Sequence, residues 1–119
     1  MKNYTELEVW IYGRKLVKAV YQLTSKFPSN EVFGLTSQIK RCAVSVPSNI
    51  AEGLGRQTTK DTTHFLYISR GSLYELETQL FLALDLGFIS EDQLNKITID
   101  ITSTKKLLNG FINYYKSKS

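Results

Sequence analysis

A single apolar phase constrains this chain more tightly than any other feature. Leu35, Ile39, Cys42, Val46 and Ile50 are spaced by four, three, four and four residues, the repeat of one helical face, and the phase continues unchanged across Pro47. A proline in a helix interior removes a backbone donor and presses its ring against the carbonyl four residues earlier, here that of Ala43. Two helices divided at Pro47, the second capped by Ser45, would suit the proline locally. They would not require the apolar phase to survive the break. The unbroken phase therefore predicts one helix from about Val32 to Gly53, kinked at Pro47. Ser45, Asn49 and Glu52, with Arg41 one turn before them, form a polar stripe on this helix opposite Ala43, Val46 and Ile50.

Three further helices follow from the same periodicity. Leu7, Trp10, Val17, Val20, Tyr21 and Thr24 mark an amphipathic helix over about residues 5–26, opened by a Thr5/Glu8 capping box and closed by Phe27-Pro28. Gly13 in its interior signals close packing, and Val9, Ile11 and Tyr12 make its first turns apolar nearly all round, a surplus that points to a neighbouring subunit. Ser29 and Asn30 offer capping oxygens ahead of the second helix. After Gly53 and Gly55, Thr58 or Thr59 caps a third helix over about residues 60–86, with Phe65, Ser69, Ser72, Leu76, Leu80, Ala83 and Leu84 on one face and Gly87 as its stop. Its small residues Ser69, Gly71 and Ser72 admit another backbone, and the proline-bearing helix is the expected partner. Ser90 and Gln93 form a capping box for a fourth helix carrying Leu94, Ile97, Ile101, Leu108, Phe111 and Tyr115, with Thr104 in the one polar slot. The closing Lys-Ser-Lys-Ser is expected to fray. Four helices on short connections pack most simply as an all-α, up-down-up-down four-helix bundle, one domain over residues 1–119.

Composition limits the function classes. A lone cysteine, Cys42, cannot form an internal disulfide and lies on the apolar side of its helix, where it reads as a small core residue. No apolar stretch follows Lys2 and no run approaches the length of a membrane span, so a cytoplasmic protein with no membrane partner is expected. The only histidine, His64, follows Asp61 by one turn, but no nucleophile motif, zinc-ligand spacing or phosphate-binding glycine loop accompanies it. No catalytic or metal site and no cofactor are expected. A net charge of +4 and a pI near 9.2 favour anionic partners.

Several blocks together resemble a known family. Leu7-Glu8-Val9-Trp10, Phe27-Pro28 with Glu31, residues 34–39, Arg41, residues 45–53 and residues 71–80 are similar, in order and over nearly the whole chain, to the bacterial four-helix-bundle proteins encoded within intervening sequences of large-subunit ribosomal RNA genes. Gly13 and Ser69 depart from the alanines expected there. These proteins are similar in turn to the accessory variability protein of diversity-generating retroelements, a barrel-shaped homopentamer that binds nucleic acid and its reverse transcriptase. The resemblance implies a homopentamer and carries no catalytic chemistry with it.

Two groups of residues are candidates for function. The polar stripe is either a partner-facing site or a buried network bracing Pro47, and the second reading predicts that Asn49 and Glu52 reach the third helix near Ser72, Glu75 and Gln79. Arg14, Lys15 and Lys18, with Lys40, Arg41, Arg56 and Lys60, and a smaller Lys105/Lys106 cluster, are candidates for phosphate-directed binding of RNA or DNA. The competing class is an oligomeric scaffold that presents its surface to a partner protein, with tyrosines such as Tyr4, Tyr12 and Tyr114 at the bundle edges.

Overall fold

The apolar phase through Pro47 is one helix, α2 (Leu35–Leu54), with the proline in its interior. A computed structural model describes residues 3–118 and places α2 among α1 (Glu8–Thr24), α3 (Thr59–Asp85) and α4 (Glu91–Lys116), an all-α fold without strands among the described residues. Met1, Lys2 and Ser119, on which the readings of the leader and the tail partly fell, lie outside them. α1 packs on α2 and α4, and α3 on α2 and α4, so the helices close a ring in chain order. Their paired residues run in opposite directions. Gly13 meets Pro47 while Tyr21 meets Lys40; Thr62 bonds Gly53 while Ser69 bonds Val46; Arg70 bonds Asn109 while Glu77 bonds Lys105. Each helix is antiparallel to the one before it.

The helix ends follow from local chemistry, with two departures. Thr58 accepts the Asp61 N–H, Ser90 and Gln93 form a complete capping box, and Gly87 turns the chain at φ +78°. The Thr5/Glu8 box is absent. Instead the Asn3 side chain caps a 3-10 turn at Tyr4–Glu6, and Leu7, with no side-chain cap, leads into α1. Ser29 and Asn30 also do not cap α2: they belong to a 3-10 turn, Ser29–Glu31, and the Glu31 carboxylate folds forward to accept the Leu35 N–H at 3.1 Å. Gly34 makes room for it, because a Cβ there would stand 2.8 Å from Glu31 Oε1.

The core is a column of fully covered side chains, among them Leu16, Ile39, Ile50, Leu66, Leu73, Leu76, Leu80, Ile101 and Leu108. In α1 the buried face is Val9, Gly13, Leu16, Val20 and Thr24, rotated from the expected stripe. Tyr21 is exposed, and Val9 belongs to the core rather than to a subunit contact. Gly13 hid this face: it packs on Pro47, where a side chain larger than a methyl would crowd α2. In α3, Gly71 is exposed with open space around it, so of its three expected small residues only Ser69 and Ser72 meet α2. At the other end of α2, a Cβ on Gly53 would fall 2.9 Å from Phe65 Cβ and 3.0 Å from the Thr62 carbonyl.

The two buried glycines of these contacts therefore respond oppositely to alanine. Gly53→Ala is expected to destabilise by about 1–3 kcal/mol through overpacking against backbone. Gly13→Ala places its methyl 3.4 Å from Pro47 Cβ, an ordinary contact, and gains up to about 1 kcal/mol of helix propensity. Urea denaturation midpoints of the two variants check the signs.

Candidate functional site

Polar contacts line the seam between α2 and α3 from Gly53 to Cys42. Thr62 Oγ1 donates to the Gly53 carbonyl at 2.8 Å and Ser69 Oγ to the Val46 carbonyl at 2.9 Å, both buried. One turn on, Asn49 Nδ2 donates to the Ser45 carbonyl and to Ser45 Oγ, each at 2.8 Å, and Ser45 Oγ lies 2.8 Å from Ser72 Oγ. Ser72 Oγ also lies 3.2 Å from the Ile68 carbonyl, so when its proton goes there the donation runs from Asn49 to Ser45 to Ser72 to the backbone. The Cys42 thiol donates to Glu75 Oε1 at 3.2 Å. Burial first, then the Glu75 hydrogen bond and charge, push this thiol up to about 12, against the opposing influence of Gln79. It is a neutral donor, not a nucleophile.

These contacts sort the residues of the expected kink network. Ser45, Asn49 and Ser72 meet, with Asn49 acting through Ser45 rather than touching α3 itself. Glu52 takes no part: it is exposed and pairs at 3.6 Å with Arg56, just beyond the end of its own helix. Glu75 and Gln79 gather at Cys42. The side-chain donors near Pro47 end on the carbonyls of Ser45 and Val46, not on that of Ala43, which the proline deprives of its partner. Thr36 Oγ1 in the first turn of α2 and Gln79 Oε1 on this seam are buried without a hydrogen-bond partner among the described residues. The structure gives no physical reason for either. Thr62 and Cys42 were missed as seam residues, since a threonine in a first turn and a cysteine on an apolar face carry no polar signal.

The basic candidates divide. A groove of about 460 Å³ between α1 and α2 is lined by Trp10, Arg14, Val17, Lys18, Val44, Pro47, Ser48 and Ala51. Arg41 shares the helical stripe of Val44 and Ser48 at three- and seven-residue steps, and Lys40 lies over the Tyr21 ring at 4.8 Å, so four cations follow one edge. Arg14 rests on Trp10, 5.6 Å from the ring centre. No acid lines this groove. Lys15 lies instead over Tyr12, Arg56 is shared between Glu52 and the Phe65 ring, and Lys60 is exposed at the start of α3. Lys105 is committed to Glu77 at 2.8 Å across the α3–α4 contact, which separates it from Lys106 in role. His64 packs edge-on against Phe65, and no cluster of three or more metal-ligating residues occurs among the described residues.

Residues 5–110 match the family described as 23S rRNA-intervening sequence protein. The chain belongs to this family. Both the seam and the groove lie within the matched residues. A crystal structure of a protein with unknown function from the S23 ribosomal protein family of Bacteroides thetaiotaomicron superposes with a TM-score of 0.78 at 25% identity, covering 87% of this chain and 97% of that one. No curated protein matches the sequence. No helix among the described residues is long and apolar enough to cross a membrane.

In this intervening-sequence protein the seam supplies register, and the groove supplies an accessible, acid-free cationic edge. The raised thiol has a consequence for stability. Its ordinary value is 9.0 and its folded value about 12, so its contribution is complete below pH 9 and is lost as pH rises toward 12. The stability difference between the natural protein and Cys42→Ala is therefore expected to be constant below pH 9.0 and to shrink above it. Urea denaturation at a series of pH values measures it; a difference that grows with pH would contradict the neutral-thiol assignment.

Proposed function

We propose that this chain is a non-enzymatic, self-assembling cytoplasmic protein that binds RNA or DNA through phosphate-directed contacts along the α1–α2 groove. The observation that carries this reading is a groove whose lining holds Arg14 and Lys18 and no acid, continued along the same edge by Lys40 and Arg41, with aromatic rings holding two of the four cations in place. Nothing in the groove offers a base-reading pattern, so the binding follows backbone charge rather than sequence. The name of the family, which refers to an intervening sequence of 23S rRNA, favours RNA of the two polymers.

Self-assembly rests on a different surface. Tyr67, Tyr74 and Phe81 repeat every seven residues along the outer side of α3, beside Leu82 and Leu86, and all are exposed. An apolar ridge of this length is a liability on a monomer and a natural contact for a second copy. The homopentamer implied by the family resemblance would set the groove cations in a ring, where repeated weak phosphate contacts add as avidity. The same ridge supports the second reading, a scaffold that uses α3 to hold a partner protein without nucleic acid.

Fluorescence anisotropy with a labelled single strand tests the first reading. Binding is expected at low salt, falling steeply as salt rises, and the double variant Arg14→Glu/Lys18→Glu is expected to weaken it by about tenfold or more without loss of helicity. A flat titration at low salt would sink the nucleic-acid reading. Light scattering on Tyr74→Glu/Phe81→Glu tests assembly: the natural protein is expected to show a multiple of 13.6 kDa and the variant a smaller species.

A further inference from the structure

The end of the bundle where α1 starts and α2 and α4 finish holds a cleft that neither the groove nor the α3 ridge explains. Its volume is about 980 Å³, at the upper end of the about 300–1,000 Å³ usual for small-molecule sites. Leu7, Leu54 and Leu107 form an apolar base packed on the core. Aromatic rings stand above them: Tyr4 is fixed edge-on against Trp10, Phe111 and Tyr115 are near parallel at 6.1 Å, and Tyr114 meets Tyr115 edge-on. The only charged residues lining the cleft are Lys106 and Lys118, and the Lys118 ammonium lies over the Tyr114 ring at 4.7 Å. Gly110 keeps one wall open, since a Cβ there would meet nothing within 4 Å.

A lining of aromatic rings with cations and no acid complements a flat aromatic group that carries an anion. We propose that this cleft binds a nucleotide, its base against the aromatic wall and its phosphate at Lys106 and Lys118. An alkyl-chain anion fits less well, because the four rings of Tyr4, Phe111, Tyr114 and Tyr115 make up more of the lining than the three leucines do. The ligand is either a free nucleotide or the 5′-phosphorylated end of a strand. The assignment does not rest on the α1–α2 groove, which offers phosphate contacts and no aromatic cleft.

Calorimetric titration of the full chain with AMP, ribose 5-phosphate, decanoate and a 5′-phosphorylated trinucleotide tests it. AMP is expected to bind, and ribose 5-phosphate, lacking the base, to bind at least about tenfold more weakly. Binding of AMP alone identifies a free nucleotide, and binding of the trinucleotide as well identifies a strand end when it survives Arg14→Glu/Lys18→Glu and is lost with Gly110→Leu. Gly110→Leu fills the cleft from an exposed helical position, where leucine favours the helix over glycine, and is expected to abolish AMP binding with helicity intact. Lys106→Glu is expected to weaken AMP binding by about tenfold, and it decides the matter should Gly110→Leu fail to fold. Arg14→Glu/Lys18→Glu is expected to leave AMP binding unchanged even where it abolishes strand binding at the groove. The proposal is overturned if neither AMP nor the trinucleotide binds, if ribose 5-phosphate or decanoate binds as tightly as AMP, or if binding survives filling of the cleft.

Discussion

The fold turns on how closely α2 can approach α3. At Gly53 the absence of a side chain brings one backbone within hydrogen-bond reach of the Thr62 hydroxyl, and from that point the helices descend side by side with Ser69 against Val46 and Ser45 against Ser72. Small residues and hydroxyls alternate with leucines down the seam, so neighbouring turns satisfy both packing and polarity. Each such hydrogen bond is worth only about 1 kcal/mol net. Their larger effect is on register: a slip of α3 by one turn would strand the same hydroxyls in an apolar core, where an unpaired polar group costs more than a made bond returns.

Pro47 fits within this logic rather than against it. Its missing donor matters least where the flanking turns are held from outside the helix, and Ser69 and Ser72 of α3 hold them at Val46 and Ser45. On the opposite side the ring projects toward α1, where Gly13 leaves space for it. Proline and glycine thus pack as a pair across two helices, with little room for a side chain larger than a methyl.

This pairing also explains what could be read in the sequence. The phase of Ile39, Cys42, Val46 and Ile50 was legible because all four are apolar and buried. The caps at Ser90 and Thr58 were legible because their signals are local. The core face of α1 was not, since its centre is a glycine with no hydropathy to show, and the bulky Trp10 and Tyr21 drew the stripe toward the surface. The acids misled in a similar way: Glu52 shares a periodicity with Ser45 and Asn49 but is long enough to leave the seam and pair with Arg56. Glu31 shows the converse, a capping role that depends on a fold-back of the chain at Gly34 and leaves no motif. Among the candidate cations, sequence spacing could gather Arg14 with Lys18 but not join them to Lys40 and Arg41, because that edge exists only once α1 and α2 are antiparallel.

The ring order of the helices bears on how the chain reaches this state. α1–α2, α2–α3 and α3–α4 are each hairpins of consecutive elements, and only the packing of α1 on α4 joins distant parts of the chain. Loop closure for the α2–α3 hairpin spans only the residues between Leu54 and Thr59, so its entropic cost is small and its seam can zip from Gly53 outward. Closure of α4 onto α1 comes at the end of such a sequence, and the amphipathic wall that receives it is complete only when the first three helices have docked. A low-contact-order topology of this kind folds quickly and leaves its apolar faces uncovered only briefly.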